Sequence, residues 1–224
     1  MNNNLFIVIA ASAIYYGTPL FLAALGEVIT ERSGVLNLGV EGMMLLGAVA
    51  ASGTASNVSG PGWWVLTVSI LAAMLAAGPG ALLHAFATIT LRVNQTVSGL
   101  ALTILAGGAG LSSYLANLWE LEKAPVQFEK FDVLGLKDAP IVGPILFNQN
   151  ALTYLSWVLA VVASWYLFRT RPGLHLRAVG ESPQSADAVG INVVRYRYVH
   201  TVAGGALAGI GGAFVSLAIN TAWA

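Results

Sequence analysis

The feature that most constrains this chain is a recurring one: apolar runs of about 20 residues follow one another from near its start almost to its end. A bilayer core about 30 Å thick is crossed by about 20 helical residues, because lipid offers the backbone no hydrogen-bond partner but itself. On that criterion spans fall near 5–25, 35–55, 63–90, 95–118, 150–168 and 199–220. Composition points the same way. Hydrophobic residues make up 57% of the chain and charged residues 9%, where a soluble domain carries about 45–50% and 25%. The surplus apolar surface has to face lipid. The expected fold is all-α and integral to the membrane: a single domain over 1–224, a polytopic bundle of about six transmembrane helices.

Met1-Asn2-Asn3-Asn4 lacks the positive flank of a signal peptide, so the first apolar run reads as a retained helix. Residues 169–197 hold Arg169, Arg171, Arg177, Arg195 and Arg197 against Glu181 and Asp187. Residues 120–138 hold Glu120, Glu122, Glu129, Asp132 and Asp138 against three lysines. Arginine and lysine mark the cytoplasmic side. Loop 169–198 is therefore expected inside and loop 119–149 outside. Arg92 and Arg32 then fall inside, and the N-terminus outside. Trp63, Trp64 and Trp119 sit at span ends, where amphipathic rings favour the headgroup level. Gly78-Pro79-Gly80 is expected to kink the third span.

Several function classes are excluded. The formal net charge is zero and offers no basic field for nucleic acid. The chain has no cysteine, no G-x-x-x-x-G-K-[ST], no H-E-x-x-H and no histidines at zinc-ligand spacing. Neither an enzyme, a metal site nor a cofactor is expected. Gly205 and Gly209 form a G-x-x-x-G pair that suits close helix packing, within the subunit or between subunits.

The loop between the last two spans carries the sharpest local signal. Ser182 can cap a helix, Pro183 suits its first position and Gly190 its C′ position. They frame about two turns over 183–189, too short to persist alone in water. Such a helix transmits force when a soluble partner grips it, or else is an ordinary connector on the membrane surface.

Residues 169–191, RTRPGLHLRAVGESPQSADAVGI, resemble the ATPase-contacting loop of bacterial ABC-importer permeases of the branched-chain amino acid and ribose type. The stretch from Gly26-Glu27 through Glu31-Arg32, Gly34, Asn37, Gly39 and Glu41-Gly42 is similar to permeases of nucleoside importers served by a basic-membrane-protein type lipoprotein. Asn94-Gln95-Thr-Val-Ser98-Gly99-Leu-Ala-Leu-Thr103 fits the same group. The resemblance implies an ATP-driven importer of nucleosides in the plasma membrane. The same machinery carrying simple sugars or branched-chain amino acids, and a passive channel, are the alternatives. It implies three partners: an ABC ATPase, a second permease subunit (like or unlike) and an extracytoplasmic binding lipoprotein. It assigns Gly180, Glu181, Ala186, Asp187 and Gly190 to the coupling helix. Family members carry further spans, so the chain is expected to be incomplete at its C-terminal side.

Polar residues inside spans form the second set of candidates, since charge at mid-bilayer costs at least ~2.5 kcal/mol. Glu41 reads as a pore-lining carboxylate, or as one tied to backbone amides or to Arg32 at an irregular helix start. Asn94, Gln95, Ser98 and Thr103 recur at helical spacing, either to meet substrate or to bond neighbouring helices. His84 reads as a packing residue, while His175 and His200 read as solvated. The acidic loop 120–138 reads as solvated surface or as contact for the lipoprotein.

Overall fold

The computed structural model describes residues 2–107, 110–121, 126–132, 135–137 and 139–220, with side chains from Leu5 onward. Glu122, Lys123, Asp138 and Trp223 lie outside the described residues. The helices are α1 (Asn2–Glu31), α2 (Val40–Asn57), α3 (Gly62–Ala85), α4 (Gln95–Ala106), α5 (Leu111–Leu118), α6 (Ala151–Arg169), α7 (Arg171–Glu181), α8 (Pro183–Ala188) and α9 (Val193–Phe214). Wider π turns extend α3 to Thr90 and α9 to Ile219.

Five stretches among the described residues are long and apolar enough to cross a membrane: Leu5–Glu31, Gly62–Thr90, Gln95–Leu118, Ala151–Arg169 and Val193–Ile219. The chain is a multi-pass membrane protein. α2 is not among the five, and it begins at Val40 rather than near 35. It carries Glu41 and ends in polar residues, yet buries Met43, Leu46, Val49 and Ala51. The physical reason is its position. Packed against α3 and α9, α2 is shielded by protein on that side and needs less lipid-compatible surface.

α9 is the central post, packed on α1, α2 and α3. Its small residues make that possible. Gly204 lies against Gly26 and Thr30, Gly205 against Ala81 and Met43, and Gly212 against Met44. A β-carbon at Gly209 would stand 2.6 Å from the Ala73 carbonyl oxygen. The G-x-x-x-G pair therefore serves packing within this chain, where small faces let helix backbones approach. Two buried apolar groups accompany that contact: Leu22, Leu152, Ile210 and Phe214 form one, and Met43, Ala77, Ala81, Leu102 and Ala208 the other. α3 stays helical through Gly78-Pro79-Gly80.

Two ends of the bundle are distinct. At one, Trp63 and Trp64 meet edge to face at the start of α3, and the Trp119 ring covers Gly53. Strand β1 (Lys130–Asp132) pairs antiparallel with β2 (Asn148–Asn150) in the register Lys130↔Asn150, Phe131↔Gln149. The described acidic residues Glu120 and Glu129 of loop 120–138 are exposed, as a solvated surface requires, while the adjoining strand β2 is tied into the fold. Gln149 is fully buried, and Phe128 N–H donates to the Leu217 carbonyl at 2.9 Å. The Tyr15 hydroxyl donates to Ala218 O at 2.5 Å. The last carbonyls of a helix lack intrahelical donors, and here α1 and the segment before β1 supply them.

At the other end contacts gather the arginine-bearing segments. Arg32 meets α7 through Gly180, Arg197 reaches Ser33, and Thr90 bonds Tyr198 at 2.5 Å just before Arg92. All of the chain's arginines sit in or beside these joined segments.

Candidate functional site

The arm between α6 and α9 is built from local capping. Thr170 caps α7, its hydroxyl accepting from Gly173 N at 3.1 Å. Gly173, Leu176 and Val179 then face inward at three-residue spacing. Ser182 ends α7 and caps α8, accepting from Ser185 N at 3.4 Å with Pro183 following as the first helical residue. At the far end Gly190 takes φ +84°. Its N–H donates to Asp187 O at 2.9 Å, and Ile191 N–H donates to Ala186 O at 3.0 Å. That pair of bonds is the Schellman cap, which requires the left-handed residue that glycine supplies. The cap residues read from sequence stand where they were expected. An additional helix, α7, occupies part of the stretch read from sequence only as loop 169–198.

The five coupling candidates separate into two groups. Ala186 is buried and Gly180 is pressed on the Arg32 carbonyl, so close that a β-carbon there would collide with it. Glu181, Asp187 and Gly190 are exposed, beside Val189, which is 75% exposed. The arm thus has an inner face fastened to the bundle and an outer face carrying acidic and apolar groups.

Beside the arm lies a cavity of about 650 Å³ lined by Tyr166, His175, Asn192, Arg195, Tyr196 and His200, among others. His200 is only 5% exposed, so the expectation of a solvated ring is corrected. Its Nδ1 lies 2.7 Å from the Tyr196 carbonyl and its Nε2 2.8 Å from the Tyr166 hydroxyl. The ring stacks on Tyr196 at an 8° interplanar angle. A carbonyl only accepts, so Nδ1 carries a proton, while Nε2 pairs with the Tyr166 hydroxyl. His175 Nδ1 meets the Tyr196 hydroxyl at 3.0 Å, so it too is held rather than freely solvated. Helix packing decides this, because α6, α7 and α9 converge on that point.

The polar candidates near α4 converge on a different place, the irregular segment 32–39 between α1 and α2. Asn94 caps α4, its Oδ1 accepting from Val97 N at 3.2 Å. Gln95 Oε1 accepts from Leu36 N at 2.7 Å, and the Thr103 hydroxyl donates to Leu38 O at 3.3 Å. Ser98 Oγ lies 3.0 Å from His84 Nδ1, while His84 Nε2 lies 3.0 Å from Leu36 O. Nε2 must donate to that carbonyl, and Nδ1 pairs with the Ser98 hydroxyl. His84, 2% exposed, is a packing residue as expected. Gln95, Ser98 and Thr103 are brought together with 32–39. Glu41 stands apart, exposed in the first turn of α2, where a carboxylate complements the helix dipole.

Sequence reasoning missed Glu27. Its Oε1 accepts from the buried Asn37 N–H at 2.8 Å. The signal was present, since a carboxylate inside an apolar helix invites attention. Ending the first span near 25, rather than at Glu31, put Glu27 outside it. Arg197 was counted for charge alone, yet its Nε donates to Ser33 O at 3.2 Å. Among the described residues no group of three His, Cys, Asp or Glu could hold a metal ion.

The chain is 39% identical to TsgC13 of Haloferax volcanii, provisionally named a glucose ABC transporter permease, over 95% of this chain and 63% of that protein. It is 39% identical to the guanosine ABC transporter permease NupQ of Bacillus subtilis, over 92% and 66%. It is 37% identical to the nucleoside ABC transporter permease NupC of Lactococcus lactis, over 95% and 68%. The chain thus spans about two thirds of the length of these relatives. No solved structure matches it. Residues 9–224 match the family described as the permease component of the branched-chain amino acid transport system, and the chain belongs to that family of membrane permeases.

Proposed function

We propose that this chain is the membrane-spanning permease subunit of an ATP-driven importer of nucleosides. The observation that carries the reading is its 37–39% identity to a guanosine and a nucleoside permease across 92–95% of its residues. In this reading α8 is the coupling helix. A separate ABC ATPase grips its outer face at Glu181, Asp187 and Gly190, while Gly180 and Ala186 hold the inner face on the bundle. ATP binding favours one facing of the pore and hydrolysis releases it, because the ATPase holds α8 differently in its two states. The arginine-bearing end faces the cytoplasm, which the gathering of those segments at one end supports. The hairpin end, with Glu129 and Asp132, receives the binding lipoprotein, and a second permease subunit completes the pathway. Glu41, Ser98 and Thr103, with Asn94 and Gln95, belong to the substrate path when the helices around segment 32–39 rearrange.

Two measurements test this. Uptake of radiolabelled guanosine into proteoliposomes holding the assembled importer should require ATP on the ATPase side; ATP-independent uptake means a passive channel instead. Asp187→Arg should weaken ATPase association by about tenfold or more while the membrane domain still inserts, since a reversed charge opposes a complementary docking surface. Unaltered association removes α8 from the coupling role. A sugar importer is the second reading, favoured by the 39% identity to TsgC13. Binding of glucose but not guanosine by the partner lipoprotein would decide for it.

A further inference from the structure

We infer that segment 32–39 is the relay between the docking arm and α4, and that Arg197 and Glu27 are the positioning residues that clamp it. The inference rests on the importer reading, because it needs a partner that moves α8. α7 and α8 pack mainly on α6 and α9, and α4 mainly on α2 and α3. What joins the two regions directly is this irregular segment.

Its near end is pinned to the arm. The Arg32 carbonyl lies against the bare backbone of Gly180. Gly34, at φ +81°, lies beside the Arg197 guanidinium and Gly180. Arg197 Nε donates to Ser33 O at 3.2 Å. Its far end is pinned to α3 and α4. Leu36 is held through both backbone groups, by Gln95 at 2.7 Å and His84 at 3.0 Å. Leu38 accepts from Thr103, and a β-carbon on Gly99 would stand 2.8 Å from the backbone of Leu38 and Gly39. Within that far end, Glu27 holds the Asn37 N–H at 2.8 Å, anchoring it to α1 as well.

Backbone groups of irregular segments must be satisfied somewhere. Here partners in α1, α3, α4 and α9 satisfy them, so the segment has little internal bonding to absorb a displacement. A shift of α7 at Gly180 therefore either moves Leu36 and Leu38, and α4 with them, or breaks the clamps. Packed elements of this kind switch between discrete arrangements rather than stretch.

The test uses the assembled importer in proteoliposomes, with guanosine and glucose as probes. Arg197→Ala and Glu27→Ala should each lower substrate taken up per ATP hydrolysed by about tenfold, a usual coupling magnitude. ATPase association and hydrolysis should persist in both. Arg197→Lys and Glu27→Gln, which keep a donor and an acceptor at those positions, should recover most of the loss. A merely structural role would lower assembly and hydrolysis together and leave the ratio unchanged. Uptake per ATP at the unsubstituted level in both alanine variants overturns the proposal. Should those variants fail to assemble, amide exchange in the unsubstituted complex decides. Protection of Leu36 and Asn37 should change between nucleotide-free and ATP-bound states, and identical protection overturns the relay. An unsubstituted importer that takes up neither probe with ATP overturns the importer reading itself.

Discussion

The α7–α8 arm and the 32–39 segment both interrupt the long helices, yet they are built in opposite ways. α8 is closed by its own neighbours in sequence: Ser182 bonds Ser185, and Gly190 and Ile191 bond back to Asp187 and Ala186. Segment 32–39 is closed from far away, by Gln95 59 residues on, Thr103 65 residues on and Arg197 164 residues on. Local closure leaves a side chain's outer face open to a partner. Remote closure makes the segment answer to several helices at once, even though the side chains of Leu36 and Leu38 stay exposed.

Substitutions that attack each kind of closure should therefore differ in size. Gly99→Leu should have the largest effect, about 3 kcal/mol or more, because the new side chain meets backbone at Leu38 and Gly39 with no room to turn away. Thermal unfolding in detergent measures it, and a wild-type midpoint would break the comparison. His84→Leu should follow at about 1–2 kcal/mol. It removes two bonds between α3, α4 and Leu36, although membrane hydrogen bonds average only about 0.6 kcal/mol. Gly190→Ala should cost about 1 kcal/mol, all of it backbone strain at φ +84°, since nothing stands within 4 Å of the added carbon. Ser182→Ala should be smallest, about 0.5 kcal/mol, because its capping bond is long at 3.4 Å. Unfolding midpoints rank these two, and a Ser182 effect above that of His84 would reverse the lesson.

Legibility in the sequence follows the same division. The caps of α8 and the tryptophans at span ends could be read because each depends on a few adjacent residues. Glu27 and Glu41 show the limit. Both are carboxylates near the α1–α2 interruption, and only the fold tells that Glu27 holds Asn37 while Glu41 stays exposed. His200 was misread for the same reason. Its place in the sequence is beside the charged 169–198 loop, but its spatial neighbours are the rings of Tyr166 and Tyr196.

Apolar length and charge asymmetry were enough to establish a polytopic membrane helix bundle and its arginine-rich end, while the resemblance of three short stretches pointed to the family. Those properties are local or additive along the chain, so no knowledge of partners is needed to read them. Only the tertiary structure decided that α2 lies packed against α3 and α9, that Gly205 and Gly209 serve packing within the chain, and that Gln95, Ser98 and Thr103 close around segment 32–39. In a bilayer every backbone group in an interruption must find a protein partner. Which partner it finds depends on how distant helices pack, and that is set by the whole bundle at once.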